Sequence, residues 1–233
     1  MKDYTLTYWP LPFRGQFVRA VLAFGGASWD ETSPDEVARM RAAPIADQPV
    51  PHMGPPLLHD HEADLWLAQL PAVLGYLGTR FELMPHDPAR VALTYKAIGD
   101  ANDVLDNITR MGGAQMWTRG EWETFMQDRL PRWLQIFEEL GTRHGLTAGQ
   151  GHLLGTGAPG LADLVTATLW GTMTEKLPAL RLLLEVEAPT VAGLCERINA
   201  HPALVAMRAD TDARFGDIYC GGHIEASIRE MLA

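Results

Sequence analysis

Few residues of this chain combine type and spacing in a way that does chemistry. Tyr8 lies near the end of an alternating β-branched and aromatic run over 4–9, so its phenol is a hydrogen-bond donor at the end of a strand. Arg14 follows just before a helical pattern, and Gln69 with Leu70 opens another, where free backbone N–H groups favour an anion. Pro55 and Pro56 precede a short apolar run, and X-Pro bonds are the ones that adopt cis geometry. His59-Asp60-His61 and Cys220-Gly221-Gly222-His223 contain ligand-type residues, but neither has the paired spacing of a structural zinc site, so no metal is expected. Cys195 falls on an apolar helical face and reads as core, while Cys220 has no partner at C-x-x-C spacing. The sequence contains no P-loop, G-x-G-x-x-G, H-E-x-x-H or G-x-S-x-G pattern.

The elements that must position these residues follow from periodicity. The strand over 4–9 is broken by Pro10-Leu11-Pro12, and helical spacing over 17–24 stops at Gly25-Gly26. A second strand fits 29–32, a short acidic helix start fits 33–41, and the proline-rich stretch 44–56 is a loop. Two apolar pieces, 57–60 and 63–67, flank a polar turn and read as a hairpin, followed by a helix over 69–78. Beyond Asp87 strand signals vanish and helical patterns occupy 88–110, 121–144, 162–173, 191–199 and 203–209. The pattern predicts an α/β domain over 1–80 joined to an all-α domain over 88–233.

Composition narrows the class. With 233 residues, 47% hydrophobic and 21% charged, the chain has enough apolar surface for a sizeable core. Its formal charge of -10 repels the phosphate backbone, which disfavours a nucleic-acid role. Two cysteines cannot form a disulfide framework, the N-terminus shows no continuous apolar h-region, and no apolar run approaches the length of a membrane span; a cytoplasmic protein is expected.

A proline immediately before the third strand of a βαβββα domain, joined to an all-helical domain, resembles the cytosolic glutathione S-transferases, and the resemblance runs nearly end to end. Tyr8-Trp9-Pro10 with Arg14 resembles the tyrosine-type classes (pi, sigma, mu and alpha), where the strand-end tyrosine holds the sulfur of glutathione. Gly54-Pro55-Pro56-Leu57-Leu58-His59-Asp60 is similar to the family's cis-proline turn, with Pro56 in the cis position. Gln69-Leu70-Pro71-Ala72-Val73-Leu74-Gly75-Tyr76-Leu77 resembles its glutathione-binding helix start. Asp103 falls where pi-like and sigma-like members place an aspartate that reaches the neighbouring subunit's glutathione, which implies a homodimer. Pro159-Gly160-Leu161-Ala162-Asp163 resembles the family's capping box, and 191–207 its penultimate helix.

The resemblance implies a thioredoxin-like domain that binds glutathione as co-substrate, with Tyr8 stabilising its thiolate and Arg14 supporting Tyr8 or binding a carboxylate. Pro55, Pro56, Gln69, Leu70 and Asp103 are then the glutathione contacts, and Arg39 and Arg41 lie where members present a basic group to the glycyl carboxylate. A small apolar electrophile, in the manner of detoxification enzymes, would sit among Trp9, Leu11, Met111, Met116, Trp117 and Tyr219. Two departures weaken the match. Leu70 replaces the usual serine and so lacks its hydroxyl, and Pro55 has no N–H to offer the cysteinyl unit. They leave open a noncatalytic carrier or interaction protein, and the resemblance leaves open a glutathione-dependent isomerase or peroxidase.

Overall fold

A computed structural model describes residues 2–233. Strand β1 (Tyr4–Thr7) buries Tyr4 and Leu6 and is the first strand of a four-stranded sheet of order β2-β1-β3-β4. Helix α1 (Arg14–Phe24) is buried from Gly15 to Leu22 and ends at Gly25-Gly26, where Gly26 takes the left-handed conformation that closes helices. β2 (Trp29–Glu31) pairs parallel to β1, and α2 (Pro34–Ala42) starts at Ser33, whose hydroxyl accepts the Glu36 N–H. β3 (Leu57–Asp60) and β4 (Leu65–Ala68) form the expected hairpin, Leu57 opposite Ala68, with the Asp60 carboxylate accepting the N–H groups of Glu62 and Ala63 in the turn. α3 (Leu70–Arg80) closes this part of the chain. The expected strand and helix order holds, with α2 a complete helix between β2 and β3.

The rest is helical. α4 (Pro88–Ile108) is capped by Asp87 and gives way to α5, a single turn (Arg110–Gly113). α6 (Arg119–Thr124) opens with the Thr118/Glu121 capping box and passes through a π turn (Phe125–Arg129) into α7 (Leu130–Arg143). α8 (Leu161–Lys176) is the central helix, buried on nearly every side. At its start the buried Asp163 carboxylate accepts N–H groups of Gly160 at 2.8 Å and Leu153 at 2.7 Å, in the backward reach that its place after Gly160 predicts. α9 (Arg181–Glu187), α10 (Pro189–Asn199), α11 (Pro202–Phe215) and α12 (Gly222–Leu232) complete the bundle. α1 leans on α3 on one side and on α8 and α11 on the other, so the sheet domain and the bundle share one core.

Several boundaries differ from the periodicity. α4 stops at Ile108 because Arg110, Met111, Gly112 and Gly113 all have positive φ. α11 continues past 209 to Phe215, where Gly216 ends it at φ 60°. α9 and α12 carry no legible start signal: α12 begins at Gly221-Gly222, a pair that reads locally as a loop. Among the described residues no helix is long and apolar enough to cross a membrane.

Candidate functional site

Tyr8 leaves the central strand β1 and runs into the N-terminus of α1. That helix has no side-chain cap of its own; the backbone N–H of Arg14 donates instead to the Tyr8 hydroxyl at 3.0 Å. The phenol therefore caps α1, and the positive end of the helix dipole rests on its oxygen. Tyr8 is 5% exposed, and burial pushes the phenol up to about 12 against the opposing pull of Arg14. A group so placed stays protonated at neutral pH and has an O–H to give away. Gly15 makes the arrangement sterically possible, since a Cβ there would collide with the Tyr8 ring. Arg14 itself turns away from the phenol: Nε donates to Asn102 Oδ1 at 3.0 Å and Nη2 pairs with Asp106, both on α4.

A polar cleft of about 620 Å³ lies beside this corner, between the β1–α1 loop, the β3 turn, the start of α3 and the C-terminal half of α4. It brings together Trp9, Arg14, Pro55, Pro56, Gln69 and Leu70 from widely separated parts of the sequence. The Pro55–Pro56 peptide is cis, as the turn's resemblance predicts. Gln69 has φ 72°, an uncommon conformation for a side-chain-bearing residue, and it delivers the chain into α3 so that the free N–H groups of that helix open on the cleft. The Leu70 side chain is buried in the core. Asp103 is exposed on α4 and does not line the cleft.

Arg41, Asn102 and Asp106 also line it. Arg41 is exposed and forms no ion pair among the described residues, whereas Arg39 is paired with Glu36 on the outer face of α2. No motif in the sequence marks Asn102 and Asp106, although their i, i+4 spacing places both on one face of a helix.

The residues expected to hold a second substrate do not form one wall. Met111 is 82% exposed at the left-handed turn and borders both the polar cleft and a more apolar one of about 570 Å³. Trp117 lines that second cleft and not the polar one, with Phe125 and Arg110, and donates its indole N–H to the Ile108 carbonyl. Trp9 lines the polar cleft and not the apolar one. Leu11 touches the C-terminal segment at Gly221, and Met116, partly exposed, lies in the loop before Trp117 with its carbonyl accepting from Arg110. Tyr219 is 1% exposed, and its ring meets Phe13 edge to face at 5.4 Å. The two cysteines are free; burial pushes the thiols of Cys195 and Cys220 up to about 12 each.

The sequence profile of the glutathione S-transferase C-terminal domain matches residues 93–231, more than half of the chain. The chain belongs to the glutathione S-transferase family. Solved transferase structures share its fold. NaGST-2 superposes with a TM-score of 0.69 at 19% identity, covering 90% of this chain and 97% of its own. The Pi-class glutathione S-transferase of Onchocerca volvulus gives 0.71 at 20% identity, covering 94% and 98%. Prostaglandin synthase D of Nilaparvata lugens gives 0.70 at 15% identity, covering 89% and 97%. No curated protein sequence matches the chain. The four-stranded mixed sheet followed by a helical bundle is the glutathione S-transferase fold.

Proposed function

We propose that this glutathione S-transferase family member conjugates glutathione to a small apolar electrophile and that the Tyr8 hydroxyl stabilises the attacking thiolate. One observation carries the reading: a buried phenol, its oxygen accepting the Arg14 N–H, stands at the start of a helix beside a polar cleft. A free thiol titrates near ~8.5, and lowering that by about two units takes about 2.7 kcal/mol. A charge-assisted hydrogen bond contributes roughly 1.5–3 kcal/mol and a helix N-terminus about 0.3–1 kcal/mol more, which together reach that magnitude. In the reaction the thiol proton leaves to solvent. A sulfur electron pair then forms the new C–S bond as the electrophile's leaving group departs or its π electrons shift.

Glutathione would lie along the cleft, its γ-glutamyl carboxylate at Gln69 and the N–H groups opening α3, its cysteinyl unit at the Pro55–Pro56 turn. Its glycyl carboxylate falls to Arg41, an exposed guanidinium that lines the cleft and has no ion pair among the described residues. Arg14, tied to Asn102 and Asp106, fixes the N–H that holds Tyr8. The domains are taken as 1–80 and 88–233, and the working form as a cytoplasmic homodimer in which Asp103 serves the partner's site. The deciding experiment is the ultraviolet absorbance of bound glutathione against pH. A thiolate band well below the free thiol's range, lost in Tyr8→Phe, is expected; saturation without a band would retire the enzyme reading. Pro55 and the inward-turned Leu70 favour that alternative, a carrier that binds without activating.

A further inference from the structure

The chain's end crosses the corner where Tyr8 sits. Glu225, in the first turn of α12, is almost fully buried, and its Oε2 accepts three backbone N–H groups: Tyr219 at 3.0 Å, Cys220 at 2.9 Å and Gly221 at 2.6 Å. Its other oxygen accepts from Arg229 Nε at 2.8 Å. This clamp fixes the segment 219–221 against the β1–α1 loop, where Gly221 meets Leu11 and the Tyr219 ring meets Phe13. Phe13 immediately precedes the Arg14 N–H that holds the Tyr8 hydroxyl.

The clamp leaves one group unexplained. The Tyr219 hydroxyl is fully buried and, among the described residues, has no hydrogen-bond partner, which is costly for a phenol. Burial raises its titration well above the ordinary range, and Arg14 and Tyr8 both lie near it. The Tyr8 oxygen accepts the Arg14 N–H, but among the described residues it has no acceptor for its own proton. Two buried phenolic protons thus stand at one corner with nothing to receive them. A single acceptor brought by a ligand would satisfy both, and an anionic atom satisfies them best.

We propose that Tyr219 is a second catalytic hydroxyl, donating a hydrogen bond to the same glutathione sulfur that Tyr8 holds. The proposal rests on the reading of Tyr8 as thiolate donor and adds a residue from the C-terminal segment to that site. Tyr219 donates without transferring its proton, and the sulfur accepts from both phenols as its own proton departs to solvent. Glu225 acts through Tyr219 as a positioning residue, since its contacts are to the backbone of the segment.

The test is Tyr219→Phe in the full-length protein, which keeps the ring against Phe13 and removes only the hydroxyl. Glutathione is the probe, and bound-thiolate absorbance against pH is compared in wild type, Tyr8→Phe and Tyr219→Phe. The thiol midpoint is expected to rise by about one pH unit in Tyr219→Phe. Thermal stability should hold or rise, because an unsatisfied buried hydroxyl has been removed. An unchanged midpoint overturns the assignment even if turnover falls, since the hydroxyl would then serve the electrophile. A raised midpoint accompanied by lower thermal stability also overturns it, marking the hydroxyl as structural. Absence of a thiolate band in wild type defeats the Tyr8 reading first; a wild-type band abolished by Tyr8→Phe and untouched by Tyr219→Phe defeats only this one. Glu225→Gln, which keeps the acceptor oxygen while removing the charge, should shift the midpoint in the same direction by a smaller amount.

Discussion

In the proposed mechanism the Tyr8 phenol is useful only while it keeps its proton, and its surroundings see to that. Burial raises it to about 12, so it donates throughout the range in which a glutathione thiol titrates. The rate should therefore rise with pH as thiolate forms and show no loss from Tyr8 ionisation below about pH 11. Tyr8→Phe should lower turnover by about 10²-fold with little change in glutathione affinity, because the bond strengthens as charge develops on sulfur. Steady-state kinetics beside a binding isotherm separate the two, and equal turnover in both proteins would remove Tyr8 from the mechanism. The same raised value has a stability consequence. A phenol with a higher value folded than unfolded contributes stability that is whole below pH 10 and lost as pH rises towards 12. The wild type should lose stability in that window more steeply than Tyr8→Phe. Leu70 carries an opposed pair of effects, since it fills core space where a serine would reach the cleft. Leu70→Ser should tighten glutathione binding while destabilising the fold by about 2–4 kcal/mol through the cavity left behind. Calorimetric titration and a melting curve read the two separately, and an unchanged dissociation constant would show that the lost hydroxyl is already replaced.

At the level of elements, a buried ion network joins α1, β2 and α11. Arg19, 1% exposed, donates from Nε and Nη2 to both oxygens of Glu31 at 2.9 and 2.8 Å, and Nη1 donates to the Leu11 carbonyl in the loop behind Tyr8. Arg214 on α11 closes the network on Glu31 at 3.0 Å. Burial by itself would raise the Glu31 carboxyl, but the two guanidiniums outweigh it and hold the group down at about 2. A carboxylate lowered in this way contributes stability above its unfolded value near 4.5 and loses it as pH falls towards 2. Glu31→Gln should cost about 3–5 kcal/mol near neutral pH, since Arg19 is left buried without a counter-charge, and should flatten the acid limb of the stability curve between about pH 4.5 and 2. Urea titrations across that range check it, and an acid limb as steep in the variant as in wild type would place the effect elsewhere. Networks of this kind also mark how far the sequence could be read. The cis Pro56 follows from the family resemblance of its turn, whereas the strand bearing Tyr8, the Gly25-Gly26 stop and the hairpin come from neighbours a few residues apart. So does the backward reach of Asp163, and these last four are legible as local chemistry. Asn102 and Asp106 meet Arg14 some ninety positions away, and no periodicity announces that contact. The left-handed turn at Arg110–Gly113 and the clamp at Glu225 are equally silent. The first runs Arg110 and Met111 through φ values suited to glycine, and the second depends on a helix whose glycine start imitates a loop.

For the whole molecule, the decisive fact is that α1 has no free side. It rests on α3 within the sheet domain and on α8 and α11 of the bundle, and its buried run from Gly15 to Leu22 is shared between them. Polar contacts cross the same boundary at three places: Arg14 to Asn102 and Asp106, the Gln16 amide to the Thr211 hydroxyl at 3.4 Å, and Glu31 to Arg214. The helix whose N-terminus holds Tyr8 is therefore seated as much by the bundle as by its own sheet. Removing the bundle would expose an apolar helix face and strand the Arg19–Glu31 pair without Arg214, in a piece of chain too small to absorb either loss. The full chain should thus unfold in urea as one cooperative transition, with tryptophan fluorescence and far-ultraviolet circular dichroism tracing coincident curves. A fragment of residues 2–84 should lack a cooperative transition and fail to bind glutathione. Two separated transitions in the full chain, or a folded, glutathione-binding fragment, would mean that the sheet domain alone sets the geometry of Tyr8. Coincident curves with an inactive fragment would mean that the site exists only where the two halves meet.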